Sequence, residues 1–327
     1  MSWRIIPALL LLLLGLTLSP LPLAYTAPAQ PTSGGYSLRF NANDDFEFDR
    51  VKIRIDSPAS PADIGATDFT IEFWIKATAA DNPNGAQCGN PIGWTTSHII
   101  FDRDRFNQNR KFGLGVFGNG QVIFGIQGAD NADFTLCSSG VNVLDNQWHH
   151  LAVQRRRSDG YLWLFVDGVL RAQANGPDGD VSYPDGATPG NFCNATTGGS
   201  GSDPCTYSDP FLAFGAEKHG FPGVNYNGLL DEVRLSTVLR YPTNGGSFTV
   251  PTAPFTPDAN TAALYHFDEG SGLTTDNATG NASADGTLLV GGNPSSPLWS
   301  TDTPFPAAPL PDCTTAIACL YLPLVRR

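Results

Sequence analysis

The sequence predicts an all-β protein: a two-sheet antiparallel sandwich of jelly-roll type with about 12–14 strands. Three observations carry this. Apolar residues recur with period two over short runs. Turn clusters of Gly, Asn, Asp and Pro separate those runs at regular intervals. Composition disfavours long helices, with 35 Gly, 26 Pro, one Met and only 19 Lys plus Arg.

The strands follow in order. Ser37 to Phe40 alternates and ends in the turn Asn41–Asp44. Phe46, Phe48, Val51, Ile53 and Ile55 form a second apolar face, and Phe69 to Ile75 is rich in aromatic and β-branched residues. A long polar loop fills 79–97. His98 to Asp102, Lys111 to Phe117 and Gln121 to Gln127 are short strands, the last two joined at Gly118-Asn119-Gly120. Trp148 to Arg155 and Tyr161 to Val166 form a hairpin, and Asp167-Gly168 turns into Val169 to Ala174. After a polar stretch at 175–208, strands resume at Phe211–Phe214, Gly228–Leu235, Ala262–Phe267 and Gly286–Val290. Trp148, Trp163 and Phe165 are expected in the core between the sheets.

Residues 1–29 read as a signal peptide: Arg4, an apolar run Ile5–Leu18, then Ala27-Pro28-Ala29 as cleavage site. The run is shorter than the roughly 20 residues that span a bilayer, so no transmembrane helix is expected after cleavage. The mature chain is expected to be secreted or held at the cell surface. Residues 30–303 form the sandwich domain, and 304–327 a Pro-rich linker with a disulfide-closed tail. The tail's end, Leu320 to Arg327, fits either an anchoring tag or an edge strand. A net charge of −12 leaves no basic surface for nucleic acid.

Six cysteines behind a signal peptide read as disulfides. Proximity pairs Cys193 with Cys205 and Cys313 with Cys319, leaving Cys88 with Cys137; other connectivities stay open, and zinc is the alternative. Asn194, Asn277 and Asn281 stand in N-x-S/T sequons.

Three segments carry a family resemblance. They are Leu38-Arg39-Phe40-Asn41-Ala42-Asn43-Asp44-Asp45-Phe46, then Trp148-His149-His150-Leu151-Ala152-Val153 with Leu162 to Gly168, then Phe211 to Gly215 with Asn227 to Leu235. In that order and spacing, over residues 36–240, the chain resembles the laminin-G-like, concanavalin A-like lectin/glucanase jelly roll. Leu264 to Gly272, ending near Trp299, is similar to a segment that follows such domains, and is expected to pack on the same sandwich as a hairpin.

The resemblance implies a structural Ca²⁺ held by Asn41, Asn43, Asn/Asp-rich turn residues Asp44 and Asp45, and Asp231. Oxygen donors of this kind suit calcium, although the same residues could simply cap the turn. A second ion could sit at Asp178-Gly179-Asp180 to Asp185-Gly186, which lacks EF-hand spacing. The resemblance also implies a binding role, with a glycan or glycoprotein as partner and protein adhesion as the alternative. Trp94, Tyr183, Phe192, Tyr207, Phe221 and Tyr226 are loop aromatics that could stack on sugar rings. No catalytic residue is assigned. Glycoside hydrolysis would need two carboxylates about 5–9.5 Å apart, and only Asp45-Phe46-Glu47-Phe48-Asp49 alternates acids along a strand.

Overall fold

The fold is taken from a computed structural model, in which residues 35–42, 49–56, 58–105, 108–184, 210–218, 224–291 and 294–305 are described. The signal segment, Asn43, Asp44, Asp45, Phe192, Tyr207, Phe221, Cys193, Cys205, Cys313, Cys319, Asp185, Gly186 and Asn194 lie outside them, as does nearly all of the tail. The described residues form two antiparallel sheets of eight strands each.

The strands are β1 (Ser37–Asn41), β2 (Arg50–Arg54), β3 (Phe69–Ala77), β4 (His98–Arg103), β5 (Lys111–Val116), β6 (Val122–Gln127), β7 (Asp133–Cys137) and β8 (His149–Arg155). They continue as β9 (Tyr161–Val166), β10 (Val169–Asn175), β11 (Phe211–Phe214), β12 (Asn227–Ser236), β13 (Thr261–Tyr265), β14 (Thr274–Thr275), β15 (Gly286–Leu289) and β16 (Leu298–Ser300). The first sheet runs β10-β9-β8-β3-β12-β1-β16, with β13 also on β12; the second runs β14-β15-β2-β11-β4-β5-β6-β7. The segment after residue 260 is therefore more than the expected hairpin. It adds β13 and β16 to one sheet and the β14–β15 pair to the other.

Period-two alternation sets which side chains meet between the sheets. Phe69, Ile71, Phe73 and Ile75 of β3 face Phe101, Phe112 and Phe124 of the second sheet in one core. Phe69 and Phe112 stack at 5.4 Å. Strand β12 needs an irregularity to obey the same rule, because its apolar residues stand at 230, 233 and 235. A register shift between Asp231 and Arg234, with Glu232 at φ +52°, supplies the extra residue. It returns Val233 and Leu235 to the core and Arg234 to the outer face.

Parity also corrects one expectation. Leu162, Leu164 and Val166 fill the inter-sheet core, so Trp163 and Phe165 point away from it. They join Ala152, Tyr241 and Phe248 in a second cluster on the outer face of the first sheet. Trp148 stands just before β8, half-buried, and its indole Nε1 donates to Asp302 at 2.9 Å.

Candidate functional site

A polar cleft opens at one rim of the sandwich. It forms where β1 and β3 end, β4 and β12 begin, and the loop after β3 folds back. One part, about 220 Å³, lies on the outer face of the first sheet, floored by Ala77, Gly228 and Leu229 and walled by Arg39, Lys76, Asp81, Asn146 and Asp302. The other, about 430 Å³, continues past Asp81 and Asn227 to Asn84, His98 and Asn225.

Buried side chains hold this shape. Asn82 is sequestered; its amide donates to Thr78 O (3.0 Å) and Asn227 O (2.7 Å), and its Oδ1 accepts from Asn227 N (3.0 Å). One asparagine thereby ties the loop to the first residue of β12. His98 works in the same way. Its Nδ1 stands 2.8 Å from Asn225 O and its Nε2 accepts from Asn84 N at 3.0 Å. A carbonyl on one side and an amide N–H on the other select the neutral Nδ1–H tautomer. Beneath the floor, the Tyr226 hydroxyl donates to Leu229 O at 2.9 Å. Gly228 is required above it, since a Cβ there would lie 2.2 Å from the Tyr226 oxygen. The walls are committed too: Lys76 Nζ meets Asp302 at 2.6 Å, and Thr78 Oγ1 donates to Asp81 at 2.8 Å.

A trough of amides and charged side chains over a small apolar floor can exchange hydrogen bonds with a polar ligand. Residues 49–192, which supply Lys76, Asp81, Asn84, His98 and Asn146, match the family described as the Concanavalin A-like lectin/glucanases superfamily. Over that segment the chain is similar to this superfamily. No curated protein matches it. Among solved structures, the chain is similar to a Bacteroides ovatus protein provisionally described as carbohydrate binding, at 14% identity and TM-score 0.46, covering 79% of this chain and 59% of that one. It thus spans somewhat over half of that relative's length. It is also similar to mouse laminin alpha1 domains LG4-5 (12% identity, TM-score 0.37, covering 69% and 48%) and to a Ruminococcus gnavus sialidase CBM40 bound to α2,3-sialyllactose (13%, TM-score 0.38, covering 61% and 88%).

The three described loop aromatics are interior residues. Trp94 is 2% exposed, Tyr183 4% and Tyr226 0%, so none offers a ring face to a ligand. Trp94 lies against Gly113 and Gly125 on the outside of the second sheet, Tyr183 packs into the main core, and Tyr226 underlies the cleft. Loop placement in sequence says nothing about which side of the loop faces the sheet, and large aromatics are the side chains that gain most from burial. The cleft is hard to read in the sequence because its residues come from six separate segments and include no aromatic wall; the available signal is the Asn-rich pairs Asn82/Asn84 and Asn225/Asn227.

Of the implied calcium ligands, only Asn41 and Asp231 are among the described residues, and these two stand apart. Asn41 pairs with Asn227. Asp231 is four residues further along β12, about 13 Å at 3.3 Å per residue, so one ion cannot take both. Asp231 is 1% exposed; its Oδ1 accepts from Glu232 N at 2.8 Å, and among the described residues its Oδ2 has no hydrogen-bond partner. Burial and the neighbouring Glu232 and Asp268 carboxylates push its pKa well above the ordinary value. Asp268 is half-buried and accepts from Gly35 N and Tyr36 N. Among the described residues, no three His, Cys, Asp or Glu side chains already form a metal cluster.

Asp49, the described end of the acid alternation, is buried, where it accepts from Gly291 N and Ser296 Oγ. Glu72 and Asp231, the outward carboxylates at the centre of the first sheet, are also sealed from solvent. Cys88 and Cys137 are joined, with S–S 2.09 Å, tying the 79–97 loop to β7.

His149, beside the cleft, is clamped between two carboxylates: Nδ1 lies 2.7 Å from Asp167 and Nε2 3.0 Å from Asp145. Burial alone would lower its pKa, but Asp167 and Asp145 outweigh it and hold the imidazole above its ordinary value. The clamp's stabilisation is therefore complete below about pH 6.5 and is lost as pH rises through the elevated folded value. His149→Asn should lower the urea midpoint more at pH 5.5 than at pH 9.5. An equal loss at both would refute the charged clamp.

Proposed function

We propose that this chain acts outside the cell as a glycan-binding module, with the rim cleft as its binding site and without catalysis. The cleft carries the proposal: asparagine and aspartate side chains converge on a trough whose walls are locked by Asn82 and His98. Such preorganisation lowers the entropic cost of holding a weakly bound polar ligand. The superfamily likeness and the leader-like N-terminus support the reading. Screening the secreted chain on a glycan array tests it. Binding by the wild type that Asn227→Ala and Asp81→Ala reduce at least tenfold is expected; binding untouched by both variants would move the site elsewhere.

We also propose a calcium ion at Asp231, with Asp268 beside it. A buried carboxylate oxygen without a donor is costly, and a hard cation would satisfy it. Millimolar Ca²⁺ should then raise the melting temperature of the wild type and leave Asp231→Asn unmoved. A wild type insensitive to both Ca²⁺ and chelator would refute the site. The tail from residue 304 is proposed to serve display at the cell surface.

A further inference from the structure

We infer that the cleft selects an acidic sugar, with Arg39 binding the ligand's carboxylate or sulfate. This rests on the glycan reading of the same cleft. Arg39 is half-buried in the wall of the smaller compartment. One of its nitrogens, Nη1, donates to the carbonyl of Phe40, and among the described residues its guanidinium meets no carboxylate. The other cation of this compartment is spoken for, since Lys76 is neutralised by Asp302 at 2.6 Å, and Asp302 is held again by Trp148. In a chain with 31 acidic against 19 basic residues, a half-buried guanidinium left without an acid is poised for one from outside.

The register gives the site direction. Arg39 and Lys76 both stand opposite Leu229, one on each side of β12. They are therefore about 10 Å apart, two strand spacings, with the apolar Leu229 between them. Asp81 lies beyond Lys76, where the two compartments meet. A trough with an uncompensated planar cation at one end, a small apolar floor and a carboxylate acceptor at the other matches an acidic sugar: anionic group on Arg39, ring C–H face on Leu229, hydroxyls donating to Asp81. Arginine suits the first contact because its donor fork pairs with two oxygens of a carboxylate or sulfate.

Calorimetric titration of the full mature chain with three probes tests this: a uronic-acid oligosaccharide, its carboxyl-reduced neutral form, and a sulfated form of that neutral chain. At least one anionic probe should bind ten-fold or more tighter than the neutral one, and which of the two does so names the anion. Arg39→Gln should weaken the preferred anionic probe at least tenfold more than the neutral one, and Arg39→Lys should recover part of that difference. Arg171→Gln, an arginine on the distant edge strand β10, should change nothing. Equal affinity for all three probes, or a loss in Arg39→Gln that is the same for neutral and anionic probes, would overturn the inference and leave the glycan site standing. Failure of every probe and every arrayed glycan to bind would overturn the glycan reading and this inference together.

Discussion

Glu72→Gln should destabilise the fold by about 3–5 kcal/mol, the cost of stripping one partner from a buried ion network. Glu72 is fully buried on the outward face of β3. Its Oε1 accepts from Arg234 at 2.8 Å, its Oε2 lies 3.2 Å from His150 Nε2, and the Tyr241 hydroxyl donates to the same oxygen. Arg240 approaches to 3.9 Å. Burial raises the cost of the charge, yet His150 and Arg234 overcome it and hold the carboxyl below its ordinary pKa. The network also anchors the crossing segment 237–255, whose Tyr241 and Phe248 stack on each other and cover Phe165. Removing the charge leaves Arg234 uncompensated beneath that cover. The urea midpoint of the variant should fall well below wild type, with the cover segment becoming sensitive to protease. An unfolding free energy within about 0.5 kcal/mol of wild type would show that the network is dispensable.

Gly125→Ala should be similarly severe, for a steric reason. Gly125 and Gly113 are cross-strand partners on β6 and β5. The Trp94 indole lies flat in the space they leave, and a Cβ at Gly125 would sit 1.8 Å from Trp94 Cδ1. The ring must leave, taking with it its contacts to Ile99, Phe117 and Ile123. Overpacking of this kind costs about 1–3 kcal/mol or more, and loss of a buried Trp about 3–5 kcal/mol. The double-mutant cycle isolates the clash. Once Trp94→Ala has removed the ring, Gly125→Ala should cost under about 1 kcal/mol, the range of a harmless surface change. Additive losses would mean that Gly125 acts through its backbone and not through the indole.

Expulsion of Trp94 should leave affinity at the smaller compartment less affected than stability, because Trp94 packs on the second sheet and that compartment lies on the outer face of the first. The cleft depends instead on Asn82 and His98 at the foot of the 79–97 loop.

Period-two patterning alone determined the all-β class, most strand positions and the inner face of β3, because alternation is a local property that needs no partner. The likeness of the β8–β9 hairpin to the lectin/glucanase type was equally legible, and the family match over residues 49–192 includes it. The edge strand β7 and the short β14 and β16 were not, because strands of two to five residues with exposed faces carry little periodic signal. Tertiary structure decided the rest. It turned Trp163 and Phe165 outward, placed Trp94, Tyr183 and Tyr226 inside, and separated Asn41 from Asp231 by four register positions. It also assembled a cleft from Arg39, Lys76, Asp81 and Asn227, residues up to 188 positions apart in the chain. Register and the facing of loops are set by which side chains meet across space, and a linear sequence states only which ones are available to meet.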